Sequence, residues 1–177
     1  MDTQNILLLS VGNFEKEFLE KVAAEVSHEF LLNVKIEEGH LDIASFYDPG
    51  RRQYDGNRLL CEIDTLPELS PFQKKIGLFR VDICTPILTY IFGQANFKGS
   101  TGIASLYRLR NEHYGIKKDD DLLMKRFSKV VIHELGHTFG LIHCHNPDCV
   151  MRSSTYVEDI DQKSMHICTK CRKEIGL

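Results

Sequence analysis

The spacing of apolar residues changes several times along the chain, and each change marks an element. Asn5 to Val11 is a short, nearly continuous apolar run closed by Gly12-Asn13, which predicts a buried strand. From Phe14 the period lengthens. Phe14, Phe18, Val22 and Val26, joined by Leu19 and Ala23, form one helical stripe, with Asn13 as the expected N-cap and Glu15 in the first turn. Leu32, Val34 and Ile36 then alternate with Asn33, Lys35 and Glu37, the pattern of a strand with one buried face. Strand, helix and strand in succession imply a crossover and a parallel pair.

The pattern weakens between Asp48 and Leu69. Asp48-Pro49-Gly50 and Asp55-Gly56 mark turns, and Asn57 to Asp64 fits a short helix with Leu59, Leu60 and Ile63 inward. Arg51-Arg52 reads as a solvated pair. Alternation returns near Ile76, where Phe79, Val81 and Ile83 alternate with Arg80 and Asp82 until Pro86 interrupts. Tyr90 to Phe97 and Gly102 to Leu109 are two further strand-like runs, and Lys98-Gly99-Ser100-Thr101 between them suggests a hairpin. Asp119-Asp120-Asp121 places carboxylates where a helix begins, and Leu122, Leu123, Phe127, Val130 and Val131 continue as its apolar face.

That helix runs into His133-Glu134-Leu135-Gly136-His137-Thr138-Phe139-Gly140-Leu141-Ile142-His143. One helical turn separates His133 from His137, so both imidazoles face the same way with Glu134 beside them. A continuing helix would carry His143 around to another face. Gly140 can take the left-handed conformation that ends a helix, which lets His143 return as a third ligand. Three neutral imidazoles leave one position of a tetrahedral Zn2+ open to water, the mark of a catalytic site, with Glu134 placed as the base.

Composition bounds the rest. At 177 residues the chain is one domain, or one domain with a small appendage. Its 42% hydrophobic and 27% charged residues are ordinary for a soluble globular protein, and a net charge of −3 argues against nucleic acid as a partner. Asp2 precedes the Ile6–Leu9 run and no basic region frames it, so a secretory signal is not expected, nor is a membrane span. The cytoplasm is the default, and thiols there stay reduced and available to metal.

Six cysteines divide by spacing. Cys61 and Cys84 lie in apolar-patterned sequence and read as core thiols. Cys144 and Cys149 follow the third histidine, and Cys168 and Cys171 lie near the C-terminus. Short spacing in a chain without an export signal favours a metal over disulfides. Four thiolates leave no position for water, so that second Zn2+ is expected to be structural, with His145 or His166 as alternative fourth ligands. A segment as short as 144–177 needs such a staple to hold its shape. His28, His40 and His113 lack ligand spacing and read as surface or capping residues.

The histidine string, followed by Cys144, Cys149, Met151 and the Cys168/Cys171 pair, resembles the archaemetzincins, a branch of the metzincin zinc metallopeptidases. The resemblance implies an α/β (α+β) fold: a mixed twisted sheet packed on helices, with a long active-site helix. It also implies division into an N-terminal subdomain, residues 1–143, and a C-terminal one, residues 144–177, holding a cysteine-bound zinc. Met151 would form a turn beneath the catalytic zinc. An antiparallel edge strand would border the cleft, with Tyr90–Phe97 as candidate. Some metzincins place a tyrosine two residues beyond the methionine. Here that residue is Ser153, and the nearest tyrosine is Tyr156, which leaves the auxiliary donor to the transition state unassigned.

The function expected is hydrolysis of a peptide or protein substrate with two Zn2+ per chain, by a monomer, with Glu134 as general base. Aminopeptidase and endopeptidase remain equally open. A zinc-binding but weakly active or inactive peptide-binding protein of the same fold is the alternative. A zinc-ribbon-like nucleic-acid reader is disfavoured by the few basic residues of the cysteine module.

Overall fold

The computed structural model describes residues 5–66 and 74–177. Asp2 and the end of the irregular stretch expected from Asp48 to Leu69 lie outside them.

Strand β1 (Asn5–Val11), helix α1 (Lys16–Phe30) and strand β2 (Asn33–Gly39) form the expected crossover, with β1 and β2 parallel from Asn5↔Asn33 to Val11↔Gly39. Helix α1 starts later than its expected cap at Asn13. Glu15 occupies the cap position without a side-chain bond. Next come β3 (Tyr47–Asp48), β4 (Gln53–Asp55) and α2 (Gly56–Thr65), whose N-cap Asp55 accepts from the backbone of Asn57 and Arg58. Then follow β5 (Lys74–Phe79), β6 (Ile83–Thr85), β7 (Leu88–Ile91), β8 (Gly93–Ala95) and β9 (Thr101–Ser105). The C-terminal half holds the long helix α3 (Asp120–Thr138) and the short helices α4 (Val157–Gln162) and α5 (Thr169–Glu174).

Five strands form the main sheet in the order β2-β1-β5-β9-β8, parallel except for the antiparallel edge strand β8. Alternation along each strand feeds both faces. Leu8 and Ala104 pack toward α1 and α3, whereas Leu9 and Ile103 pack toward α2 with Leu59, Leu60 and Ile63. The result is three layers, helix, sheet and helix.

Several expectations on the β-rich half need correction. The alternation from Ile76 to Ile83 is not one strand. β5 stops at Phe79, and β6 joins a smaller four-stranded sheet in the order β3-β4-β6-β7. Between them the carboxylate of Asp82 receives Arg108 through two hydrogen bonds of 2.7 and 2.6 Å, which turns the chain away from the main sheet. Tyr90 to Phe97 likewise divides, with Leu88–Ile91 in the small sheet and Gly93–Ala95 in the main one. The expected hairpin survives as β8 and β9. Arg51 is not a solvated residue: its guanidinium donates to the carbonyls of Thr85, Leu88 and Thr89 and struts β7 in place. Cys84 is buried as expected, but Cys61 is exposed on the outer side of α2.

The chain beyond α3 folds back on it. Cys149, Val150, Met151, Val157, Ile160 and Ile167 join the core built by α1, α3 and the sheet, so apolar packing runs unbroken across the boundary expected at residue 143. Buried Arg126 on α3 ties the two stretches through a bidentate pair with Asp161 at 2.7 and 2.6 Å. Among the described residues no helix is long and apolar enough to cross a membrane.

Candidate metal centre and cleft

Helix α3 begins where the acidic run suggested: Asp119 caps it by accepting from the backbone of Leu122 at 2.9 Å. It ends at Thr138 in a Schellman turn, with Gly140 N–H donating to His137 O and Leu141 N–H to Gly136 O. Gly140 has φ +100°, which is the left-handed turn the sequence required of it. The chain therefore reverses, and His143 comes back beside His133 and His137, its ring centroid 5.2 and 5.0 Å from theirs.

Each helical histidine is oriented by a carbonyl. His133 Nδ1 lies 2.9 Å from Val150 O and His137 Nδ1 lies 2.8 Å from Leu141 O. A carbonyl only accepts, so both Nδ1 atoms carry the proton and both Nε2 atoms present a lone pair. Those two Nε2 atoms are 3.1 Å apart. Two facing lone pairs at that distance repel unless a cation sits near both. Burial lowers the pKa of all three imidazoles, His133 most, and the charge of Lys163 adds to the effect, so the rings stay neutral. Neutral nitrogen donors converging from a helix and its following turn fit Zn2+.

Glu134 is buried against the edge of the main sheet. A Cβ added at Gly93 of β8 would stand 2.7 Å from Glu134 Cγ, so the absence of a side chain there admits the carboxylate. Burial pushes the carboxyl pKa up to about 8, against the opposing pull of Lys163. With the histidines it forms the floor of a cleft of about 730 Å³. One wall is the chain from Leu88 to Ala95 with Phe97. The other comprises Ser153, Ser154, Thr155, Tyr156, Ile160 and Lys163. Among the described residues β8 pairs with β9 alone, and Gly93, Gln94 and Ala95 of this edge strand line the cleft, as the resemblance implied.

Met151 is fully buried with its thioether against Gly136 of α3. Ser153 lines the cleft, and so does the exposed Tyr156.

The four C-terminal cysteines gather at the far side of this turn, their sulfurs all within 4.8 Å of one another. Cys144 and Cys168 Sγ are 3.9 Å apart, and backbone N–H groups point at two sulfurs, Asn146 to Cys144 at 3.5 Å and Cys168 to Cys149 at 3.3 Å. Burial opposes ionisation of Cys168, but hydrogen bonds from Cys171, Cys149 and Cys144 bring its pKa down to about 7. Burial and the neighbouring sulfurs push Cys171 up instead. The group accommodates one negative charge readily and further ones only with a cation among them, which again fits Zn2+. Neither His145 nor His166 belongs to the cluster. His166 turns away, its Nδ1 3.0 Å from the carboxylate of Glu29.

The buried residue Glu29, together with Val150, Gly93 and Lys163, escaped the sequence reading. Each matters through a contact with residues distant in the chain, and none carries a local signal.

A model described as peptidase family M54 matches residues 32–176. The archaemetzincin of Sulfolobus acidocaldarius is 34% identical over 173 residues, covering 97% of this chain and 96% of that protein. Among solved structures, the archaemetzincin of Methanopyrus kandleri superposes with a TM-score of 0.85 at 29% identity, over 99% of this chain and 95% of that one. A zinc-dependent peptidase from Methanocorpusculum labreanum gives 0.86 at 28% identity, over 96% and 99%. The chain belongs to peptidase family M54, the archaemetzincins, and is a zinc metallopeptidase acting on peptides.

Proposed function

We propose that His133, His137 and His143 hold the catalytic Zn2+ and that Glu134 is the general base of peptide-bond hydrolysis. Zinc bound there supplies a Lewis acid for the scissile carbonyl and brings the pKa of water toward about 7. Glu134 accepts the proton of the attacking water and later delivers it to the leaving amine. Its carboxylate, held against Gly93 in the cleft that His133, His137 and His143 also line, is placed for both transfers. Val150 and Leu141 keep the two helical imidazoles in the tautomer that leaves Nε2 available.

The substrate adds to β8 as an extended strand, its main chain pairing with the vacant edge from Gly93 to Ala95. Cys144, Cys149, Cys168 and Cys171 hold a second, structural Zn2+, giving two ions per chain. Residues 144–177 act as a subdomain in that their shape depends on this ion, although their apolar side chains share the core of residues 1–143. The protein works as a cytoplasmic monomer without nucleic acid; the net charge of −3 is consistent with the last point.

The observation that supports this reading best is the buried carboxylate of Glu134 beside three neutral, converging imidazoles in an open cleft. The same feature disfavours an inactive peptide binder, which has no use for it. The test is Glu134→Gln, assayed on peptides with free and blocked N-termini alongside zinc analysis. The variant is expected to keep its zinc and lose nearly all turnover. Turnover near the wild-type level would remove Glu134 as the base, and the paired substrates separate aminopeptidase from endopeptidase action.

A further inference from the structure

Lys163 is a long cationic side chain of which only 4% is exposed, and it lines the cleft together with His133, Glu134, His137 and His143. Its Nζ donates to Arg152 O at 2.8 Å. Among the described residues no carboxylate forms a salt bridge with it. An ammonium has three N–H donors, so two remain after the bond to Arg152. A buried charge in that condition is costly, and capping one carbonyl does not require a charge, since a neutral donor would suffice.

The side chain is also firmly placed. Lys163 directly follows α4, and α4 is fastened to α3 by the Arg126–Asp161 pair and by Lys129 Nζ donating to Ile160 O at 2.8 Å. The ammonium is therefore positioned from the same helix that carries His133, Glu134 and His137. Charged donors fixed in place and largely shielded from water, as this 4% exposed side chain is, are effective where negative charge develops during a reaction.

We propose that Lys163 is the auxiliary donor of this site, hydrogen-bonding the scissile carbonyl oxygen as it becomes negative, in a chain whose residue 153 is serine rather than tyrosine. The inference rests on the hydrolytic reading of the cleft. As the bond from water oxygen to the carbonyl carbon forms, the π pair of the carbonyl moves onto its oxygen and a water proton passes to Glu134. The two N–H groups of Lys163 that Arg152 O does not take are the donors for that oxygen. When the pair returns and the C–N bond breaks, the amine leaves with the proton from Glu134, and Lys163 has kept its own protons throughout.

Lys163→Met is close in volume and removes only the ammonium. Zinc content and melting temperature are expected to stay near wild type, KM to change little, and kcat to fall roughly 100-fold, the scale of a lost oxyanion donor. A phosphinic peptide, which mimics the tetrahedral oxygen, should bind weaker by the same factor, whereas a product peptide should bind as before. Lys163→Arg should recover part of kcat. A Lys163→Met enzyme with kcat within about threefold of wild type overturns the proposal; so does equal weakening of phosphinic and product peptides, which marks a structural role. Should the variant not fold, a crystal structure of the wild-type phosphinic complex decides: Nζ within about 3 Å of the phosphinyl oxygen supports the role, and Nζ turned away overturns it. Failure of the hydrolytic reading looks different, since wild type itself would then be inactive or Glu134→Gln would be active.

Discussion

Val150 joins the two candidate metal sites through its own peptide groups: its carbonyl oxygen lies 2.9 Å from His133 Nδ1, while its N–H donates to His166 O at 2.9 Å. Val150 sits between Cys149 and Met151, and Met151 O accepts from Cys144 N–H at 3.0 Å. The first imidazole is thus oriented by the loop that the cysteines fold. The third, His143, is the residue just before Cys144.

Loss of one thiolate should therefore reach the histidines. Cys168→Ser is expected to release the zinc of the cysteine site and to weaken zinc retention by the histidines roughly tenfold or more, the scale seen when an orienting partner of a metal ligand is lost. Competition with a chromogenic chelator resolves the two ions by their release rates. Mild oxidation of the thiols should act the same way. Unchanged release from the histidine site in Cys168→Ser would show that the sites are independent.

Burial of Glu134 has a pH signature in the metal-free protein. Its folded pKa of about 8 stands above the ordinary carboxyl value of 4.5, so the folded state holds a proton that the unfolded state releases between those values. Stability is then lost as pH rises from about 4.5 to about 8, and the loss is constant above that. Lys163, brought down to about 8 by burial, is protonated in both states across most of this window and affects stability mainly above it. In chelator, the melting temperature of Glu134→Gln should exceed that of wild type by a margin that grows from pH 5 to pH 8. A margin independent of pH would mean that Glu134 ionises in the folded metal-free protein much as it does unfolded.

The histidine trio was legible in sequence because its determinants are local. Helical periodicity fixes His133 against His137, and Gly140, three residues beyond His137, fixes the reversal to His143. The crossover of β1, α1 and β2 was legible for the same reason, since each element announces its own period. What escaped was set by contacts between distant segments. Arg51 looks like surface charge until β6 and β7 bring three carbonyls to it, one from Thr85 and two from Leu88 and Thr89, and Tyr90 to Phe97 looks like one strand until two sheets claim its halves. Cys61 was misplaced because α2 is amphipathic and a thiol fits either side of such a helix.

Glu29 illustrates a fastening that no spacing rule finds. Only 1% of its side chain is exposed, and its carboxylate accepts from Ile167 N–H at 2.7 Å and Arg172 Nη2 at 2.6 Å, with His166 Nδ1 at 3.0 Å. It pins the chain beside Cys168 and Cys171 to the end of α1. Glu29→Ala leaves the Ile167 N–H without its acceptor and the guanidinium of Arg172 without its carboxylate, with only the bond to Glu29 O remaining, and should destabilise the protein by about 3 kcal/mol, within the range for breaking a buried pair. Glu29→Gln keeps the shape and one acceptor and should cost less. Denaturant unfolding of the zinc-loaded proteins measures both, and equal stability of Glu29→Ala and wild type would refute the fastening role.

Gly93 gives a test of how closely the base must be held. Its missing side chain lets β8 lie against Glu134: an added Cβ would stand 2.7 Å from Glu134 Cγ, 2.8 Å from its Oε1 and 2.7 Å from the carbonyl oxygen of Ile103. Ile103 belongs to the paired strand β9 and is fully buried, so that side cannot yield, and the movable partner is the carboxylate. Gly93→Ala should therefore displace Glu134 while leaving the three imidazoles, which are held by α3 and its turn, in place. Kinetics of the zinc-loaded variant should show kcat reduced about 100-fold with zinc content unchanged, the order expected when a reacting group is misplaced by about 1 Å. The same methyl group lies on the strand proposed to receive substrate, so KM serves as an internal control. A rise in KM with kcat preserved would locate the effect in strand pairing instead, and would mean that Glu134 tolerates the crowding that its position against β8 implies.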